Sequence, residues 1–143
     1  MILGTLKTSV EANEPLLNGS EYQETYIRPS KKIEKRISFK DSTEVSFKEF
    51  LNNNSSDHEN IQIEIRRQVN ILKILKNSYH IIRYFGVAQE GSKFFLITEW
   101  MECGNLREYY TNFKNNMNWE TKIRFALDIC RGVTYLHDCE AGY

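Results

Sequence analysis

The sequence has no excess of charge of either sign, since 19 lysines and arginines face 19 aspartates and glutamates. No global field therefore draws the chain to nucleic acid or to an anionic membrane, and any partner must be recognised locally. Long apolar runs are missing too. Met1 to Leu6 is too short for a signal-peptide core, and no later run approaches the roughly 20 residues of a membrane span, so a soluble cytoplasmic protein is expected. Cysteine is scarce. Cys103, Cys130 and Cys139 are odd in number and lack Cys-x-x-Cys spacing, which suggests neither a disulfide framework nor a zinc site. His137 lies close to Cys139, but one such pair is far short of four ligands, so no metal is expected. No internal repeat is evident, and 143 residues suit one domain with a real core.

What is present falls into ordered units. Residues 1 to 24 mix Glu, Asn, Ser and single apolar residues without a period and read as a disordered or loosely docked tail. From Tyr26 the pattern alternates: Ile33, Ile37 and Phe39 fall on one side, Lys40 to Thr43 supplies turn chemistry, and Glu44 to Phe50 alternates again, predicting a hairpin. Arg28, Lys31, Lys32, Lys35 and Arg36 could touch phosphate, but they alternate with Ile33 and Ile37 as a solvated strand face would, and we read them so. After an Asn-rich loop at 52–57, Ile61, Ile65, Val69, Leu72 and Leu75 form a stripe roughly 120° wide, predicting a helix over 59–76 with Gln68 near mid-stripe. A polar side chain there faces the core and needs a hydrogen-bond partner. Ile81 to Ala88 reads as a strand, Gln89 to Ser92 as a tight turn, Leu106 to Phe113 as a short helix, and Trp119 to His137 as a longer one capped by Asn118.

The organising stretch is Phe94 to Leu106. Phe94 to Thr98 reads as a buried strand, and Cys103-Gly104-Asn105 as a breaker and N-cap opening the helix at Leu106. Taken alone this is an ordinary strand-loop-helix connection, or a segment whose unpaired backbone groups can bond the edge of a flat heterocycle. The run Thr98-Glu99-Trp100-Met101-Glu102-Cys103-Gly104-Asn105-Leu106 resembles the hinge of protein kinases, Thr-Glu-Tyr-Met-Glu-x-Gly-x-Leu. Val45-Ser46-Phe47-Lys48 resembles the Val-Ala-Ile-Lys strand motif. Tyr135-Leu136-His137 resembles the end of the family's helix E. The likeness runs from about Tyr26 to Asp138. It implies an α+β fold, with a kinase small lobe and hinge over 25–101 and the truncated start of a large lobe, two helices, over 102–143.

By this resemblance Lys48 would grip the nucleotide phosphates, Thr98 would be the gatekeeper, and the Glu99 carbonyl and Met101 N–H would meet adenine. Three departures weaken the picture. Gln68 stands at the helix C glutamate position, and a neutral amide cannot form the ion pair with Lys48. Glu64, one turn earlier, is a substitute only if the helix slips. No glycine lies between Gly19 and Gly86, so the Gly-x-Gly-x-x-Gly that cradles phosphate is absent, and Ser46 replaces the usual alanine. His-Arg-Asp and Asp-Phe-Gly do not follow Tyr135-Leu136-His137-Asp138 within this sequence, which runs to Glu140-Ala141-Gly142-Tyr143. The expectations are weak ATP binding at most, no Mg²⁺, no catalytic residue in this chain, and a pseudokinase or interaction module with a protein partner or self-association through helix 119–137. The alternative is the N-terminal part of an active ATP-dependent kinase.

Overall fold

The structure, a computed structural model, describes residues 16–28, 33–50, 58–113 and 117–141. The elements run β1 (Leu16–Leu17), β2 (Tyr22–Arg28), β3 (Ile33–Ser38), β4 (Glu44–Glu49), α1 (His58–Ile74), β5 (Tyr84–Glu90), β6 (Lys93–Glu99), α2 (Leu106–Phe113) and α3 (Trp119–Ala141). The strands form one sheet in the order β1-β5-β6-β4-β3-β2. All pairs are antiparallel except β1 with β5. This is an α+β fold, in keeping with a kinase small lobe and part of a large lobe.

The sheet is apolar on both faces, which explains why Phe94 to Thr98 shows no polar alternation. On one face Val45, Phe47, Ala88, Phe95 and Ile97 form a core, sealed by Leu17, Tyr22 and Phe85. On the other, Val87 and Leu96 meet Ile65 and Val69 of α1, with Leu72 packed alongside. The helical stripe read from the sequence is thus the face that α1 lays on the sheet. The helix ends at Ile74, and the Leu75 amide still bonds the Ile71 carbonyl at 3.1 Å. The turn between β5 and β6 is the two-residue connection Gly91-Ser92, flanked by the pair Glu90 and Lys93, with Gly91 at φ +59°.

Three expectations are corrected. Leu16–Leu17 and Tyr22–Glu24 lie in the sheet rather than in a tail, because Leu17 and Tyr22 find apolar cover on Phe47 and its neighbours; the Tyr22 and Phe47 rings meet edge-on at 5.1 Å. Residues 1–15 lie outside the described residues. Strand β5 begins at Tyr84, not Ile81, because a turn from Ser78 to Ile81 precedes it. Phe39 does not join Ile33 and Ile37: β3 ends at Ser38, and Phe39 is exposed in the turn.

Arg36 overturns the reading of the basic residues as a solvated face. It is only 6% exposed and lies over the rings of Phe47 and Phe95, at 4.1 and 5.4 Å from their centroids. Glu34 and Glu90 both accept from its guanidinium, Glu34 at 2.6 Å. A buried charge is tolerated when its hydrogen-bonding capacity is filled, and here two carboxylates and two ring faces fill it. The Arg36 bond holds the Glu90 carboxyl below its usual range.

Helix α3 leaves most of its wide apolar sector open. Among the described residues only Gly132 of α3 is buried, and Trp119 is 72% exposed, with Ile123, Leu127, Ile129 and Val133 also open. Among the described residues no helix is long and apolar enough to cross a membrane.

Arg36→Met should cost roughly 2–3 kcal/mol, less than the ~3–5 of a fully buried broken pair because both carboxylates keep some water. The pH response gives the sign. Glu90 has a depressed folded-state pKa, so its stabilisation is present above the ordinary carboxylate value and is lost as pH falls through the folded value. Urea unfolding between pH 3 and 7 should therefore show an acid-side loss in the wild type that is smaller in Arg36→Met.

Candidate functional site

The strand pair β4 and β6 sets the site. In its register Ser46 lies opposite Thr98 and Lys48 opposite Leu96, so Ser46, Lys48, Leu96 and Thr98 point to the face that α1 approaches. Gln68 and Leu72 of α1 close one side, and the segment after β6 closes the other. The result is a cavity of about 500 Å³ lined by these residues, by Ile33 above, and by Glu99, Trp100 and Met101. The volume is in the range that takes a drug-sized planar ligand. Lys48, Gln68, Thr98, Glu99 and Met101, singled out from the sequence, are thus brought around one space. The Glu64 side chain and residues 29–32, Pro-Ser-Lys-Lys between β2 and β3, lie outside the described residues.

The hinge backbone is partly engaged. Glu99 N–H donates to the Arg83 carbonyl at 2.9 Å, and the Glu99 carboxylate accepts from Arg83 N–H at 2.7 Å, which turns this acid away from the cavity toward β5. Thr98 is buried, with its hydroxyl 3.4 Å from the Glu99 carbonyl. The Met101 carbonyl accepts from Gly104 N–H at 3.0 Å, while Met101 N–H meets no partner among the described residues. Met101 N–H is thus an unengaged hinge donor on a residue that lines the cavity, with Lys48 as the cation on β4. Among the described residues no group of His, Cys, Asp or Glu is placed to hold a metal.

Helix α2 starts where the sequence indicated. Gly104 takes φ +72°, and Asn105 caps the helix reciprocally with Glu108: Glu108 N–H donates to Asn105 Oδ1 and Asn105 N–H to Glu108 Oε2, both at 2.9 Å. At α3, Thr121 N–H donates to Asn118 Oδ1 at 2.8 Å. The capping carboxylate Glu108 went unread, although Asn-x-x-Glu before an apolar run is its signature.

Arg28 and Lys35 were also missed, taken for solvated charges. Arg28 Nη2 donates to the Met101 carbonyl at 2.6 Å, and Nη1 pairs with Glu108 at 3.3 Å. Lys35 pairs with Glu44 at 2.8 Å and with Glu102 at 3.3 Å. Trp100 lies between them, 4.4 Å from the Arg28 guanidinium, and its Nε1 donates to Glu102 at 2.6 Å. That bond, then Lys35, holds the Glu102 carboxyl below its usual range. Lys31 and Lys32 lie outside the described residues. No spacing rule marks the hinge contacts of these strand cations, since Met101 and Glu102 lie about 70 residues away, although Lys35 also pairs with Glu44 on the neighbouring strand.

A family model for the protein tyrosine and serine/threonine kinase matches residues 30–141. The chain belongs to the protein kinase family. This kinase chain is 36% identical over 96 residues to serine/threonine-protein kinase VIK of Arabidopsis thaliana, covering 67% of the chain and 21% of the relative. It is 27% identical over 135 residues to serine/threonine-protein kinase 12 of the same plant, covering 93% and 28%. A shorter match, 32% over 73 residues, reaches guanylate cyclase 2G of Mus musculus, covering 51% and 6%. The chain thus spans well under a third of the length of these relatives.

Gly104→Ala tests the hinge. The side chain would sit at positive φ and collide with the Glu108 carboxylate. The cap and the strained backbone together should cost about 1–2 kcal/mol in urea unfolding, and the α2 amides should exchange faster than those of α1. Unchanged stability would show that the capping box is not what fixes the end of the hinge.

Proposed function

We propose that these residues form the nucleotide-facing small lobe and hinge of a kinase domain, that the cavity takes a purine at Met101, and that its phosphate end is weakened. The observation that carries this is the cavity itself, bounded by the hinge on one side and by Lys48 with Gln68 on the other. Purine edges are met by backbone donors and acceptors, so that half of the site tolerates side-chain change. Phosphates need more. They need a lysine held by a carboxylate and a cradle of close backbone N–H groups, and here Gln68 stands at the carboxylate's place and no glycine lies between Gly19 and Gly86. Phosphoryl transfer further requires Mg²⁺ ligands and a base for the acceptor hydroxyl, and these 143 residues contain neither His-Arg-Asp nor Asp-Phe-Gly. On this reading the chain binds ATP weakly, without Mg²⁺, and transfers no phosphate by itself, acting in the cytoplasm as a pseudokinase or interaction module. The relative named for a cyclase is in keeping with such a module, because a region of this kind occurs in a protein not named for kinase chemistry.

A second reading, the N-terminal part of an active ATP-dependent kinase, is favoured by the names of the plant relatives and by how much longer they are. The weak phosphate end is tested by titration calorimetry of this chain with ATP, with and without Mg²⁺, beside a radiolabelled transfer assay of wild type and Lys48→Ala, and the two readings are separated by whether His-Arg-Asp and Asp-Phe-Gly follow in the transcript. We expect a Kd no tighter than the order of 100 µM, indifferent to Mg²⁺, and no transfer. Tight Mg²⁺-dependent binding lost on Lys48→Ala would overturn the weak phosphate end.

The exposed α3 residues supply the partner side of the proposal, because contiguous apolar surface of more than a few hundred Å² marks association. The chain should self-associate or bind a hydrophobic dye through Trp119, Ile123 and Val133. Light scattering that shows a dye-silent monomer at high concentration would contradict it.

A further inference from the structure

Arg28, the last residue of β2, lines the cavity beside the hinge; it is paired in the sheet with Ile33, and its side chain is only 17% exposed. It reaches out of the sheet to three oxygens on the other side: the Met101 carbonyl at 2.6 Å, the Glu102 carbonyl at 3.3 Å and Glu108 Oε2 at 3.3 Å. The guanidinium plane also lies 4.4 Å from the centre of the Trp100 ring. A planar donor fork held by three acceptors and a ring face has little freedom left.

Two details make this more than a surface ion pair. The oxygen of Glu108 that accepts from Arg28 is the one that caps α2 through Asn105 N–H, so the start of α2 and the end of β2 share one atom. The carbonyl that Arg28 holds most tightly belongs to Met101, a residue that lines the cavity and whose own N–H meets no partner among the described residues. The neighbouring charges do not favour release: among the described residues Arg28 and Lys35 face Glu44, Glu102 and Glu108, and each of the two cations is paired.

We propose that Arg28 is a latch. It ties the end of β2 to the hinge and to the first turn of α2, and it closes the outer end of the cavity against any ligand that extends past the hinge. The occupant favoured by the latched form is a flat heterocycle of the size of a free purine base; a nucleoside or nucleotide must first lift Arg28 from the Met101 carbonyl. This ligand preference rests on the purine reading of the site. The tie itself does not, because the contacts are internal to the chain.

The test compares wild type, Arg28→Lys and Arg28→Met in two measurements. Amide hydrogen exchange reads the tie: Gly104 N–H, bonded to the Met101 carbonyl, and Asn105 N–H, bonded to Glu108, should exchange at least about fivefold faster in Arg28→Met, with α3 unchanged. Arg28→Lys keeps the charge without the fork and should fall between; should Arg28→Met fail to fold, it carries the test alone. Equal rates in wild type and variants would overturn the latch. Calorimetry with adenine and with ATP reads the preference. The ratio of the ATP Kd to the adenine Kd should fall on the order of tenfold in Arg28→Met, the size expected from one hydrogen bond to a charged group. An unchanged ratio, or one that rises, would overturn the closure. If no variant binds either ligand, the purine reading and the preference fail together, and the exchange rates alone decide whether Arg28 ties β2 to the hinge.

Discussion

The pairing of β4 with β6, buried on both faces, is the constraint on which the other features depend. Phe47 faces Ile97 within one core while Lys48 and Ser46 face the other side with Leu96 and Thr98. A shift of one residue in this register would turn Lys48 into the Phe47 core and bring an aromatic ring to the cavity. Two-sided burial makes that shift costly, since the side chains of Val45, Phe47, Phe95 and Ile97 are almost wholly removed from water, each worth about 1.5–3 kcal/mol. The position of the lysine is therefore fixed by hydrophobic packing, and its chemistry by what α1 and the hinge place opposite it.

From that pair the chain leaves β6 directly into the hinge, and the hinge is braced on both sides. Arg83 and Glu99 exchange hydrogen bonds on the β5 side, and Arg28, Trp100 and Glu102 form a charged and aromatic cluster on the β2 side. Among the described residues Met101 N–H meets no partner, so it stays free to meet a ligand edge. Beside this backbone stretch, Gln68 stands where the resemblance expects a glutamate, and no glycine lies between Gly19 and Gly86. Adenine-like recognition and phosphate handling are thus physically separable, because one is carried by backbone geometry and the other by glycines and a carboxylate.

Much of this was legible beforehand. The strand-loop-helix passage into α2 at Leu106, the turn read at Gln89 to Ser92 (which the structure narrows to Gly91-Ser92) and the stripe of α1 follow from local chemistry: caps, breakers and a 3.6-residue period. The residues around the cavity were legible only through resemblance, as no spacing rule joins Lys48 to Met101. Arg36 and Arg28 were misread for one reason. Alternating charge on a strand looks solvated, and whether it is depends on what crosses the sheet from elsewhere, which for Arg36 is Glu90 and for Arg28 is the hinge. Strand β1 escaped notice because two residues give no period, and α3 shows a wide apolar sector that the described part of the fold does not cover.

The claim that a flat heterocycle is held at the hinge has one direct measurement, a titration of the ¹⁵N-labelled chain with adenine followed by amide shifts. The Met101 amide should move most, with its neighbours between Thr98 and Gly104, as expected where a ligand acceptor meets a fixed backbone donor. Shifts that fall instead on the groove around Ser78, His80 and Cys130, or that spare the hinge altogether, would contradict it.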